Sequence, residues 1–325
     1  MQVSKTMNRN EQQLTAHMNA KVKGYILGSI AAASYGMNPL FALPLYKEGM
    51  DPDSVLFFRY LFAISILGIM LKARGRSFKL RKQDVLPLIA LGCLVAVSSL
   101  TLFQSYNYME AGIASTILFV YPILVAVIMA FVFKEKITLQ TILCIFLALS
   151  GIALLYKGDD GTTLSLTGIA LVVISSLSYA IYIVGVNRPR LKDVATLKIT
   201  FYVLLFGLSL FLVRVDFGQT LYIVDKWYLW GNLFALAVFS TAISFLCTTQ
   251  AIQYIGSTPT AILGALEPVT AVFFGVTIFG EQLTPRLCLG IVLIILAVTF
   301  IIAGSNINAY LIRFRKLFPR LPLKR

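Results

Sequence analysis

Stretch after stretch of about twenty residues passes without a charged side chain, and at 1.5 Å per residue that length is what a helix needs to cross a hydrocarbon layer about 30 Å thick. The apolar runs are 23–46, 54–72, 85–108, 112–133, 139–156, 166–187, 195–213, 228–250, 257–280 and 286–305. They leave only short loops and two tails, too little for a large soluble catalytic domain. The expected fold is an all-α membrane protein with ten transmembrane helices. About twenty polar residues precede the first run, which lacks a small-residue cleavage pattern and exceeds a signal-peptide core, so it is expected to stay in the mature protein.

Charge supports this reading and sets an orientation. Only 13% of residues are charged while 58% are hydrophobic, and the formal net charge is +14. The basic residues fall in alternate loops rather than on one domain face, which marks membrane topology instead of nucleic-acid binding. With the N-terminus inside, the cytoplasmic segments hold 22 Lys and Arg against five on the other side, and Arg59 lies within the second run. Both termini are therefore expected in the cytoplasm. The tail 310–320 mixes bulky apolar and basic residues, which suits the surface of an anionic bilayer. Cys93, Cys144, Cys247 and Cys288 sit inside apolar runs without a CxxC pair and are read as buried filler.

The chain also matches itself. A shift of 146 residues aligns Gln104 with Gln250, Tyr108 with Tyr254, Tyr121-Pro122 with Glu267-Pro268, Phe133 with Phe279, Glu135 with Glu281 and Thr138 with Thr284. A shift of 144 places Gly24 on Gly168 and Ser34-Tyr35 on Ser178-Tyr179. The repeating unit spans five helices. Because five is odd, the second copy is expected to enter the membrane from the opposite side, giving two inverted five-helix repeats, an arrangement that lets two like halves exchange inward- and outward-open shapes.

The aromatic-Arg segment Phe57-Phe58-Arg59-Tyr60, the pairs Tyr121-Pro122 and Glu267-Pro268, and the segments Phe133-Lys134-Glu135-Lys136-Ile137-Thr138 and Phe279-Gly280-Glu281-Gln282-Leu283-Thr284 carry a family resemblance. Over about 21–305 the chain resembles the EamA-type family of the drug/metabolite transporter superfamily. The resemblance implies a ten-helix bacterial inner-membrane transporter that moves small metabolites, often exporting amino acids or related compounds. The expected organisation is an N-terminal cytoplasmic tail over 1–20, EamA-like repeats over 21–157 and 158–305, and a basic amphipathic cytoplasmic tail over 306–325.

Polar residues in hydrocarbon are costly and normally face a cavity or a partner helix. Tyr35 and Asn38 share a face of the first run, and Ser175, Ser178, Tyr179 and Tyr182 share one in the sixth. Gln104 and Tyr108 in the third run repeat as Gln250 and Tyr254 in the eighth. Glu267 is the one carboxylate well inside a run, and its repeat partner is Tyr121. It either couples transport to protons, holds a cationic substrate group, or stabilises a broken helix beside Pro268. Arg59 is expected to pair with Glu110 as a latch, with contact to a substrate carboxylate as the other reading. Glu135 and Glu281 are expected to cap the helices that follow them. Pro122 and Pro268, with Pro39 and Pro44, are expected hinge or kink points, and Gly264, Gly275 and Gly280 are expected to permit close helix approach.

His17 is the single histidine, and the chain has no phosphate-binding GxxxxGK[ST] loop and no HExxH motif. No enzymatic activity, cofactor or metal is expected. The expected partners are a small-molecule substrate, the lipid bilayer and protons as a coupling ion. The functional reading is a secondary transporter of small polar metabolites working by alternating access, with an uncoupled channel or facilitator as the alternative.

Overall fold

A computed structural model describes residues 20–133, 165–188, 194–264, 266–286 and 288–297, with a few further positions between 139 and 154 and at Leu191 and Phe300. Eight helices are long and apolar enough to span a membrane: α1 (Ala20–Lys47), α2 (Pro52–Ala73), α3 (Lys82–Ser105), α4 (Ala111–Val132), α5 (Leu166–Val186), α6 (Thr196–Arg214), α7 (Trp227–Ile255) and α8 (Pro259–Phe279). A shorter apolar helix, α9 (Cys288–Ala297), follows. These nine fall on nine of the ten apolar runs. The run 139–156 with Cys144, the segment 134–138 with Glu135 and Thr138, and both tails lie largely or wholly outside the described residues.

Local chemistry sets the helix starts. The Asp51 side chain accepts the Ser54 N–H at 2.9 Å ahead of Pro52 in the first turn of α2, and Ser165 does the same for Gly168 at the start of α5. Each satisfies an amide that the helix leaves unpaired. The polarity of the bundle is the reverse of a soluble protein's. Ile69, Leu86 and Phe131 are largely exposed, whereas Asn38, Arg59, Ser98, Ser175 and Glu267 are buried. This is what hydrocarbon outside and polar groups inside require. The cysteines correct one expectation. Cys93 and Cys288 are exposed on the outer surface and Cys247 is partly so. A thiol is apolar enough to face lipid, so an apolar run does not by itself place its cysteines in the core.

Contacts between the halves are reciprocal. Ser98 of α3 shares a hydrogen bond of 3.0 Å with Ser175 of α5, and the repeat equivalents meet as well, Ser244 of α7 donating to the Ala31 carbonyl of α1 at 2.9 Å. Gly24 in α1 abuts Tyr254 and Ile255, while its equivalent Gly168 in α5 abuts Tyr108 and Met109; a Cβ at either glycine would come within 2.6 Å of a neighbouring side-chain atom. Two further equivalent pairs touch each other directly, Tyr35 with Tyr179 and Tyr121 with Glu267. Residues that meet their own equivalents lie where a two-fold relation between the halves has its axis.

Helices α4 and α8 are both interrupted at the same repeat position. Counting the residues that extend each span at its ends, α4 divides into Ala111–Leu118 and Tyr121–Phe133, and α8 into Ser257–Leu263 and Leu266–Phe279. Pro122 and Pro268 fall in the first turn of each second half, where a missing N–H leaves no helical acceptor unsatisfied. The carbonyl of Leu118, freed by the break in α4, accepts the Ser176 hydroxyl of α5 at 2.8 Å. α1 is interrupted at Met37, just before Asn38 and Pro39, and α7 contains a π-helical segment, Leu236–Ile243.

Candidate functional site

The breaks in α4 and α8 bring Tyr121 and Glu267 to the centre. Glu267 is the second residue of the half-helix Leu266–Phe279, its backbone N–H bonded to the Gly264 carbonyl at 2.8 Å. A carboxylate in a first helical turn gains from the dipole and the unpaired amides there. One carboxyl oxygen accepts the Tyr121 hydroxyl at 3.4 Å, and the other, Oε2, is buried without a hydrogen-bond partner. Beside it lies a cavity no larger than one water molecule, lined by Glu267, Tyr121, Tyr179, Thr248, Thr260 and Gly28 among others.

An aromatic wall surrounds this point. Tyr35 and Tyr179 stack with ring centroids 6.0 Å apart and planes within 8°. Tyr121 meets Tyr179 edge-on at 4.9 Å, Tyr182 stacks on Tyr179 at 5.9 Å, and Phe245 of α7 closes the ring against Tyr35 and Tyr182. Ring faces carry partial negative charge and hydroxyls offer both donor and acceptor, so such a wall suits an organic solute with a cationic group. Phe245 is invisible to a polar-residue search of the sequence; its period with Cys247 and Gln250 points it elsewhere on the α-helical wheel, and the preceding π-helical turn alters the facing.

Arg59 is completely buried but does not pair with Glu110. It donates through Nε to the Thr241 hydroxyl at 2.5 Å and through Nη2 to the Ser240 carbonyl at 3.0 Å, both in the π-helical segment of α7. Its guanidinium lies over Tyr35 at 5.9 Å and over Phe103 at 5.0 Å. Glu110 is exposed at the mouth of α4. The pairing expected from sequence fails because a π-helix displaces its carbonyls from their usual N–H donors, which supplies Arg59 with partners inside the bundle. Ser240 and Thr241 were not singled out from the sequence.

Among the described residues, several buried polar groups around this point have no hydrogen-bond partner: both side-chain amide atoms of Asn38, Arg59 Nη1, the Ser240 hydroxyl and Glu267 Oε2. Gln104 and Gln250 are half-buried and do not line the central cavity, and Tyr108 and Tyr254 are exposed, at the reciprocal glycine contacts. Among the described residues, no three His, Cys, Asp or Glu side chains cluster as metal ligands would.

The ends near Glu281 carry a second set of charges. Lys226 bonds Glu48 at 2.6 Å and Arg214 bonds Asp53 at 2.5 Å. Glu281 does not cap the helix that follows it. Its Oε1 accepts the Gly112 N–H at 3.4 Å and so caps the start of α4, in the other repeat. Burial, and then the nearby Glu110, push the Glu281 carboxyl up to about 6, against the pull of the Gly112 and Ala111 amides, and the partial shielding of the otherwise exposed Glu110 raises it too.

Comparison with known proteins places these features. The EamA-like transporter family matches residues 22–157 and again 166–303. An uncharacterized transporter of Clostridium kluyveri is 24% identical over 299 residues, covering 88% of this chain and 93% of that protein. One from Archaeoglobus fulgidus is 30% identical over 238 residues, covering 73% and 81%. The uncharacterized transporter YxxF of Bacillus subtilis is 26% identical over 293 residues, covering 88% of each. A crystal structure sharing 15% identity superposes with a TM-score of 0.64, covering 85% of this chain and 95% of that one, which shows a common fold.

Proposed function

This chain belongs to the EamA-like transporter family, and from that membership we propose that it is a secondary transporter that moves small polar metabolites, amino acids or related compounds, out of the cell by alternating access. In this reading ten helices form two inverted repeats, over 21–157 and 158–305, in the inner membrane, with the tails 1–20 and 306–325 in the cytoplasm. The carrying observation is the buried, unpartnered Glu267 Oε2 at the contact between the halves, inside a tyrosine wall. An unpaired acceptor at that depth costs several kcal/mol unless a proton or a solute cation meets it.

Each candidate residue then has a role. Glu267 takes a proton or the cationic group of the solute, and Tyr121 orients its carboxyl. Tyr35, Tyr179 and Tyr182 form the wall. Asn38 and Arg59 offer further polar contacts in the interior, and Arg59 also holds α7 in place. Gln104 and Gln250 stand at the flanks of the pathway. Pro122 and Pro268 mark the hinges at which the half-helices of α4 and α8 tilt.

Aromatic packing across the centre favours a carrier, which opens one end at a time, over a continuous pore. Proteoliposomes loaded with a panel of amino acids and amphiphilic cations separate the readings. A carrier gives saturable uptake and counterflow, and in a Glu281→Gln background Glu267→Gln abolishes the remaining pH response of transport. Flux that neither saturates nor exchanges identifies a channel, and a Glu267→Gln protein with its pH dependence intact removes the coupling role.

A further inference from the structure

The two broken helices supply four half-helices, which cross in two equivalent places. Ala111–Leu118 of α4 packs along Leu266–Phe279 of α8 at one end of the bundle, and Ser257–Leu263 of α8 approaches Tyr121–Phe133 of α4 at the other. A two-fold relation would make these crossings alike, yet among the described residues the first is the more extensive. That end is also tied by the Lys226–Glu48 and Arg214–Asp53 pairs and by Lys47 over the Phe279 ring at 5.4 Å.

At the tighter crossing the Glu281 carboxyl occupies a slot between two glycines, one from each repeat. A Cβ on Gly112 would lie 2.5 Å from Glu281 Oε2, and one on Gly275 would lie 2.2 Å from the same atom. The Glu281 backbone N–H is itself bonded to the Gly275 carbonyl at 3.0 Å. The carboxylate therefore caps α4 while resting on α8. The repeat does not provide this slot twice. Shifted by 146, Gly112 falls on Thr258, Gly275 on Met129 and Glu110 on Gly256, so only one end combines the glycine seat with a second carboxylate.

We propose that Glu281 is the positioning residue of one gate, a latch between the repeats that holds α4 against α8 at the outer end of the proposed orientation. The inference rests on the transporter reading for its meaning, and on the slot for its geometry. Protonation acts on it with a defined sign. The groups that act on Glu281 electrostatically are Glu110, just ahead of α4, and Tyr106, at the end of α3; the nearest cation on α1 is Lys47, engaged over Phe279. A carboxyl held near 6 in the slot, above the ordinary carboxylate value to which release into water would return it, binds its proton more tightly when the gate is shut. Acid at that end favours closure, and pH above about 6 favours opening.

The test reads gate opening without substrate. Ser115, one turn beyond Gly112, is replaced by cysteine in a full-length protein lacking Cys93, Cys144, Cys247 and Cys288, and labelling by a membrane-impermeant maleimide is followed from pH 5 to pH 8. After correction for the thiol's own pH dependence, read from the same cysteine in the unfolded protein, labelling is expected to be faster at the alkaline end. Glu281→Ala, Gly112→Ala and Gly275→Ala, which remove the carboxyl or fill its seat, raise the rate at pH 7 by about tenfold, equivalent to ~1.4 kcal/mol. Glu281→Gln, which keeps the acceptor and the shape without the charge, labels no faster than the parent and loses the pH response attributable to this group. If Glu281→Ala does not fold, the glycine variants carry the test. Unchanged labelling in Gly275→Ala and Gly112→Ala, or opening in Glu281→Gln equal to that in the alanine variants, overturns the latch. Altered labelling in a protein that shows no counterflow refutes the transport reading and leaves the latch standing.

Discussion

Tyr121 and Glu267 stand 146 positions apart, occupy the same place in the two repeats, and are joined by a hydrogen bond of 3.4 Å. Equivalent residues touch in this way only near a symmetry axis. The substitution of an acid for a tyrosine at one of the two positions therefore puts an asymmetry in charge at the middle of the molecule, beside the aromatic wall.

Glu267→Gln tests that charge. Replacement keeps the volume and the Tyr121 contact but ends titration at the site. Saturable flux with a flat pH profile, read in a Glu281→Gln background, is expected if the carboxyl couples protons. Loss of cationic solutes alone from the accepted set is expected if it binds the solute.

Arg59 is anchored by its planar fork to a hydroxyl and a carbonyl of the π-helical segment. Arg59→Lys cannot reproduce both bonds, and Arg59→Ala leaves the Ser240 carbonyl and Thr241 hydroxyl without this donor. Loss of these charge-assisted hydrogen bonds to neutral partners costs about 1.5–3 kcal/mol, with Lys intermediate. Thermal unfolding of the detergent-solubilised protein measures both; Glu110→Gln, exposed and unpaired with Arg59, is expected to leave stability nearly unchanged.

Gly92 of α3 sits against the backbone of α6. A Cβ there would come within 2.7 Å of the Val203 carbonyl oxygen and 3.0 Å of the Gly207 nitrogen. Backbone cannot yield as a side-chain tip does, so Gly92→Ala is expected to destabilise by about 1–3 kcal/mol. Gly231→Ala, where a Cβ meets nothing, is the control and should be neutral or slightly stabilising in the same melt.

Ser176 satisfies the Leu118 carbonyl at the break in α4. Ser176→Ala removes that partner and is expected to cost about 1 kcal/mol and to change transport rate, because the break is a moving part in the proposed cycle. A melt and a counterflow rate identical to the parent's would place the hydroxyl outside the cycle.

Nine of the spans, the two-repeat pattern and the buried positions of Tyr35, Asn38, Arg59, Tyr121, Tyr179, Tyr182 and Glu267 were legible in the sequence, because apolar run length and the cost of polar groups in hydrocarbon act on each helix separately. The partners were not. Arg59 turned to Ser240 and Thr241 rather than Glu110, and Glu281 capped the start of α4 rather than the helix after it, since a side chain's partner is fixed by which helices lie against each other. Gln104, Gln250, Tyr108 and Tyr254 shared a matched spacing, yet spacing alone did not tell an interior face from a packing contact at a helix end. Two local departures from regular helix decided the outcome: the break at Leu118–Tyr121 with its equivalent at Leu263–Leu266, and the π-helical turn at Leu236–Ile243. Both depend on how the backbone is held by neighbouring helices, and that information exists only once the chain has folded.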